Sequence, residues 1–192
     1  MRQAIILAAL LLVALGVYTI IPKPEAVPYD ANSVKQFVLE DARSEYPAAS
    51  IEVLAAEKIG STWQVDVKIA RDAHSKCPKL IKRYYTFPPM YFREEVLNDR
   101  CAAGGQIVFP EEAILASAGV QAVKNLPDSV EANARLYSAE EIGALQECIS
   151  CSQFEEFSKA LGRQKTWIVS WTYGGSVLYV ALDGNGNVLA TS

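Results

Sequence analysis

Histidine is nearly absent from this 192-residue chain, which contains only His74. Histidine-rich metal sites and catalytic triads need an imidazole, but His74 lies beside Ser75 and Lys76 with no nucleophile motif around it. The sequence also lacks a phosphate-binding glycine loop, a nucleophile elbow, a zinc-protease motif and a dinucleotide-binding motif. It therefore gives no positive indication of an enzyme, and we expect neither a metal nor a cofactor.

An excess of positive charge is lacking as well. Acidic residues outnumber basic residues by 22 to 18, which gives a net charge of −4 at neutral pH. A protein that binds nucleic acid through its phosphates needs clustered positive charge. Nucleic acid is therefore not an expected partner.

Charge is missing altogether from residues 4–21, an 18-residue run near the N-terminus that is mostly apolar. As a helix this run would be roughly 27 Å long, near the thickness of a bilayer's hydrocarbon core. A cleavable signal peptide has a shorter apolar stretch and a small-residue cleavage site, whereas Pro22 and Lys23 follow here. We therefore expect residues 1–21 to be a signal-anchor transmembrane helix.

The charges that flank this run predict its orientation. Arg2 and the α-amino group precede it, while Lys23, Glu25 and Asp30 follow it, so the positive excess is N-terminal. The N-terminus should then be cytoplasmic and the C-terminal domain extracytoplasmic. The expected localisation is the cell membrane, crossed once, and the membrane is the expected partner of the N-terminal segment.

The four cysteines fit an oxidising compartment. Cys77 and Cys101 enclose 23 residues, and we predict a disulfide that closes this insertion. Cys148 and Cys151 form a CxxC pair that leaves three alternatives open: a structural disulfide, a redox pair, or half of a zinc site. A helix is predicted upstream of the pair, whereas redox pairs normally follow a strand, so a structural disulfide is favoured.

Proline and hydrophobic periodicity divide the rest of the chain. Residues 22–30 contain three prolines and are predicted to be a stiff, extended stalk. Residues 31–109 are predicted to form a first unit that contains the cysteine-bounded insertion. Its elements are a helix over residues 33–46, a hairpin of strands over 51–55 and 63–69, and a third strand over 82–87.

The second half has a related order of elements. Residues 110–137 are predicted to be a helical connector that begins at Pro110. Residues 138–192 should form a second unit with two helices and a three-stranded antiparallel meander. The expected fold class is α+β, with an N-terminal transmembrane helix followed by helices packed on curved antiparallel sheets.

A four-residue motif that occurs in both halves suggests internal repetition. Thr-Trp-x-Val begins at Thr62 and again at Thr166. It follows the glycine turn in the first half but precedes the glycine turn in the second. Duplication is therefore left open.

The C-terminal meander, in residues 167–171, 177–183 and 186–189, resembles the end of a PepSY-type module. More loosely, it resembles the cystatin-like folds, in which a helix cradles an antiparallel sheet, so the chain would contain up to two such units. PepSY modules are exported or membrane-linked and are associated with binding and restraining peptidases. The resemblance thus implies a non-catalytic binding module, although the insertion from Cys77 to Cys101 has no counterpart in that family.

A basic and aromatic segment is the candidate binding site. Its members are Arg71, Lys76, Lys79, Lys82, Arg83, Tyr84 and Tyr85. Such a stretch in an acidic chain could meet anionic lipid head groups, a surface polymer or an acidic partner. The alternative is a solvated loop followed by an edge strand that lysines protect from aggregation.

These observations predict a single-pass, membrane-anchored exported protein whose disulfide-stabilised domain binds a protein or peptide without catalysis. Two alternatives remain. One is a membrane-tethered thiol–disulfide oxidoreductase in which Cys148 and Cys151 are the catalytic residues. The other is a structural subunit of an envelope complex.

Overall fold

The computed structural model describes residues 29–98, 100–102, 104–146, 157 and 159–192. The predicted transmembrane segment, most of the predicted stalk and the CxxC pair lie outside the described residues. Within the described ranges, no helix combines the length and apolarity needed to cross a membrane. The chain divides into Met1–Asp30, of which only Tyr29 and Asp30 are described, and a compact unit, Ala31–Ser192.

Two four-stranded antiparallel sheets make up most of the compact unit. The first sheet pairs β1 (Ser50–Ile59), β2 (Thr62–Arg71), β3 (Lys79–Phe87) and β4 (Tyr91–Asn98) in that order. The second sheet pairs β5 (Glu131–Tyr137), β6 (Thr166–Tyr173), β7 (Ser176–Leu182) and β8 (Val188–Thr191) in that order. The described helices are α1 (Ala31–Glu45), α2 (Pro110–Ala118), α3 (Gln121–Lys124) and α4 (Ala139–Gln146).

The predicted fold class, a transmembrane helix followed by an α+β domain with helices packed on curved sheets, is wrong. The described chain is mostly antiparallel sheet, its helices are few, and the longest of them has 15 residues. Two missed strands explain much of the difference. β4 lacks a clean apolar alternation, because Arg93, Glu94 and Glu95 stand together at its centre. The predicted connector includes β5, because the more buried residues in the first part of this strand are alanines, which give only a weak apolar alternation.

Helix α1 covers one face of the first sheet. Val34, Val38 and Ala42 recur at intervals of four residues and are fully buried, as expected for one stripe of an amphipathic helix. They pack against alternate residues of β2, including Val65 and Val67. The buried stripe of α1 and the inward-facing residues of β2 therefore pack in a single core.

The second sheet is buried on both faces. Trp167, Val169 and Trp171 alternate along β6 and share a core with α2. On the opposite face, Ile168 packs in a cluster with Ile142 of α4. Burial on both faces explains why Trp167, Ile168 and Val169 are apolar at consecutive rather than alternate positions.

The strand β5 also changes the interpretation of the Thr-Trp-x-Val motif that both halves contain. Thr62 begins β2 and Thr166 begins β6, and each of these is the second strand of its sheet. The two occurrences of Thr-Trp-x-Val therefore occupy equivalent strands. The glycine turn still differs in place, because it joins β1 to β2 in the first sheet and β6 to β7 in the second.

Candidate functional site

Strand β4 forms an outer edge of the first sheet. It pairs with β3 from Tyr91, opposite Thr86, to Asn98, opposite Leu80. Among the described residues, no strand pairs with its other side. On that side the described structure leaves a row of backbone N–H and C=O groups that another strand can bind.

Local sequence defines both ends of this edge. β3 ends at Phe87, and Pro88, Pro89 and Met90 form the turn that reverses the chain into β4. At the other end, the Asn98 side-chain oxygen accepts a hydrogen bond of 3.2 Å from the Arg100 N–H. The edge is therefore a defined eight-residue strand.

Large apolar side chains are exposed along the edge and its turn. The exposed fractions are Met90 38%, Tyr91 62%, Phe92 40%, Val96 59% and Leu97 37%. Isolated exposed apolar residues are ordinary, but here two groups, Met90 to Phe92 and Val96 to Leu97, lie along one unpaired edge and the turn before it, which is typical of an interaction site. β4 also contains neither lysine nor proline, which are common protectors of sheet edges.

The face of β4 towards α1 is held by a buried guanidinium group. Arg83 on β3 is fully buried, and its Nε donates a 2.8 Å hydrogen bond to Glu94 Oε1 of β4. Its Nη2 ion-pairs with Glu94 and lies 2.6 Å from Glu45 Oε2 of α1. A third carboxylate, Asp41, lies 3.4 Å from Nη1. One cation thus ties α1, β3 and β4 together.

Aromatic groups complete this cluster. The Tyr85 hydroxyl donates to Asp41 Oδ2 at 2.8 Å and accepts from Arg83 Nη1 at 3.0 Å. The Phe92 ring centroid lies 4.1 Å from Arg83 Cζ, within the range of a cation–π contact. Phe92 and Glu94 are therefore fixed on the inner face of the edge before any partner arrives.

The cluster shifts the ionisation of its members. Burial alone would lower the pKa of Arg83, but hydrogen bonds with Tyr85, Glu45 and Glu94 outweigh it and raise that pKa. The hydrogen bond from Arg83 lowers the pKa of Glu45, and burial raises the pKa of Tyr85. At neutral pH one guanidinium therefore faces three carboxylates.

The opposite face of β4 is open and carries a second polar arrangement. The Tyr84 hydroxyl donates to Glu95 Oε2 at 2.7 Å, and Arg93 Cζ lies 4.8 Å from the centroid of the Tyr84 ring. Lys82 Nζ lies 4.6 Å from the same ring and ion-pairs with Asp66 at 2.9 Å. Charges of both signs alternate with aromatic surface on this face.

The structure does not bring the predicted basic segment together as one surface. Arg83 and Tyr85 point into the cluster beneath α1, whereas Lys82 and Tyr84 lie on the open face. Exposed Arg71 and Lys79 are direct cross-strand neighbours on β2 and β3.

Lys76, the remaining member of that segment, lies elsewhere. Its Nζ donates a hydrogen bond of 2.5 Å to the Leu126 carbonyl and lies 3.6 Å from Asp128. It therefore connects the loop after β2 to the second half of the chain.

The Cys77–Cys101 disulfide is confirmed. It closes the loop between β2 and β3 onto the segment that follows β4. His74 in this loop accepts a 2.8 Å backbone hydrogen bond from Ala132 of β5, and its ring Nδ1 lies 2.9 Å from the Ala132 carbonyl. The sole histidine thus joins the two sheets, while Cys148 and Cys151 lie outside the described residues.

Sequence reasoning missed the β4 edge entirely. A usable signal was the Pro88-Pro89 turn after a predicted strand, followed by Tyr91, Phe92 and Val96, since β-branched and aromatic residues favour strands. In the part of the chain that the structure describes, no group of three or more His, Cys, Asp or Glu is placed to hold a metal ion. The resemblance to PepSY modules stays a prediction. No family model, curated protein or solved structure matches the chain.

Proposed function

We propose that this domain is a non-catalytic binding module that receives an extended segment of a protein or peptide as an added strand beside β4. The observation that supports the proposal is the unpaired edge, in the described structure, of a strand whose apolar side chains are exposed. In strand addition, main-chain hydrogen bonds supply affinity and alternate side chains supply specificity.

The side chains of β4 define the segment that would fit. Tyr91 and Phe92 lie at one end, Val96 and Leu97 at the other, and Arg93, Glu94 and Glu95 lie between them. A matching strand carries apolar residues towards both ends and charged residues of both signs in the middle. Such a segment avoids placing a charge against an apolar neighbour on either face.

The Arg83 cluster favours binding by limiting its entropic cost. Immobilising a flexible side chain on association costs free energy. Phe92 and Glu94 are already held by Arg83, and Glu95 by the Tyr84 hydroxyl. A partner strand would therefore meet an edge at which Phe92, Glu94 and Glu95 already have defined contacts.

The disulfide supports an exported location for this module. Disulfides persist in oxidising compartments and are rare in reducing ones. The proposal keeps the expectation that the domain is extracytoplasmic and is held at the cell membrane by its N-terminal segment.

Site-specific photo-cross-linking tests the proposal. A photoreactive phenylalanine analogue replaces Val96 in the full chain, expressed in its own cells, and replaces Val108 in a matched control. Val108 is similarly exposed, at 61%, but lies in the loop before α2. We expect adducts at position 96 that mass spectrometry maps to one extended segment. Equal cross-linking at the two positions, or adducts scattered over many sequences, would contradict strand addition.

A further inference from the structure

We infer that a second copy of this chain occupies the edge, with β4 of one molecule pairing antiparallel to β4 of the other about a two-fold axis. The two first sheets would then form one continuous sheet. The inference rests on the proposed function, because it names the strand that β4 receives. The argument for a second copy is that β4 is complementary to itself.

One register suits the strand best. When Glu94 lies on the two-fold axis, Arg93 faces Glu95 of the second copy and Phe92 faces Val96. By symmetry each of these contacts occurs twice. Pairs of opposite charge and pairs of an aromatic with a branched aliphatic residue are favourable cross-strand neighbours.

Neighbouring registers are poorer. They place Arg93 or Glu95 on the axis, because facing residues of the two copies must lie on the same side of the continuous sheet. With Arg93 on the axis, Phe92 faces Glu94 and Tyr91 faces Glu95; with Glu95 on the axis, Glu94 faces Val96. Both registers oppose apolar surface to charge, and each also places two like charges on the axis.

The central Glu94 pair would bring two carboxylates together, which is ordinarily unfavourable. Each Glu94, however, accepts a hydrogen bond from the buried guanidinium of its own Arg83 and another from the Tyr46 hydroxyl at 3.3 Å. Since Arg83 remains charged at any physiological pH, the nearest charge to each Glu94 in its own molecule is positive, although Asp41 and Glu45 share it and the offset is partial.

The opposite edge of the same sheet is less suited to self-pairing. The register of β1 shifts between Val53 and Ala55, and Lys58 lies near its end. Bulges and lysines are two devices that discourage edge-to-edge association. β4 has no lysine, and its own bulge is at Leu97, next to its last residue, which leaves Tyr91 to Val96 in regular register with β3.

Disulfide trapping between two different variants tests the register. Full chains carrying Phe92→Cys and Val96→Cys are prepared separately, then mixed and oxidised. We expect a peptide linked between positions 92 and 96 in the mixture. Neither variant alone should self-link, because equivalent positions lie four residues, or about 13 Å, apart along the paired strands, which is beyond disulfide reach.

The mass of the full-length protein in solution supplies the second readout. We expect Val96→Lys to weaken dimerisation by at least about tenfold, because the charge replaces an apolar contact that occurs twice. Val108→Lys, with similar exposure, should leave the mass unchanged. Links between identical positions, or a dimer that Val96→Lys does not weaken, would overturn the inference.

The outcomes also separate this inference from the proposed function. A wild-type chain that stays monomeric, yet cross-links at position 96 to an extended segment of another protein, refutes the second copy and leaves strand addition standing. A monomer without such a segment contradicts both. Trapping between positions 92 and 96 together with loss of the dimer in Val96→Lys supports both.

Discussion

Arg83 is the residue on which the inner face of the β4 edge depends. Replacing it with methionine keeps much of the apolar stem but leaves Asp41, Glu45 and Glu94 without their common cation. Breaking a buried ion pair costs about 3–5 kcal/mol, and we expect about 2–3 here because these carboxylates are partly exposed. Urea unfolding of Arg83→Met measures the loss. Arg43→Met, at an exposed site on α1, should change stability by under about 0.5 kcal/mol, and equal losses would refute this role.

Glu45 gives the same cluster a pH dependence. Because Arg83 lowers its pKa below the ordinary value of 4.5, Glu45 stabilises the fold above that pH, and the contribution disappears as pH falls through the lowered pKa. We expect Glu45→Gln to be less stable than the natural chain at neutral pH, with the difference closing in acid. Unfolding free energies of the two chains, measured from neutral pH downwards, check this. A difference that stays constant well below pH 4.5 would contradict it.

At the scale of elements, sequence patterns located α1, β2 and β3 within a few residues of their observed bounds. In α1 and β2 the apolar residues recur with a clear period. β3 instead has an aromatic run that ends at Phe87, before Pro88 and Pro89. β4 and β5 show no clear period. β4 is exposed along its length, and the inward-facing residues of β5 include Ala132 and Ala134, which are only weakly apolar. The candidate edge was missed because its apolar residues are not buried.

The packing of α2 on the second sheet includes a polar contact that periodicity does not reveal. The buried indole nitrogen of Trp171 donates a 3.1 Å hydrogen bond to Ser117 Oγ, which in turn donates to the Ile114 carbonyl. Ser117→Ala leaves the indole N–H buried and unsatisfied, and we expect a loss of about 1–3 kcal/mol in unfolding free energy. Ser129→Ala, at an exposed position, is the control. Chemical denaturation distinguishes them, and a neutral Ser117→Ala would show that water or rearrangement replaces this bond.

For the whole molecule, the loop between β2 and β3 is one place where the two sheets are joined. Its Cys77 is bonded to Cys101, its His74 meets the backbone of Ala132 on β5, and its Lys76 reaches the Leu126 carbonyl. A disulfide that closes a loop of this size contributes about 3 kcal/mol in the chain-entropy model. The double variant Cys77→Ser, Cys101→Ser should therefore unfold at a lower denaturant concentration than the natural chain.

Hydrogen exchange distinguishes a global effect of this disulfide from a local one. If the disulfide only restricts the unfolded chain, its removal should reduce protection in proportion to the global stability, at Ala132 and along β6 alike. If it also holds the loop against β5, the amide of Ala132, which donates to His74, should lose more protection than β6. We expect the second result, because His74 and Lys76 lie within three residues of Cys77 and lose their tether together. Uniform loss of protection would mean that these contacts hold the two sheets together without the disulfide.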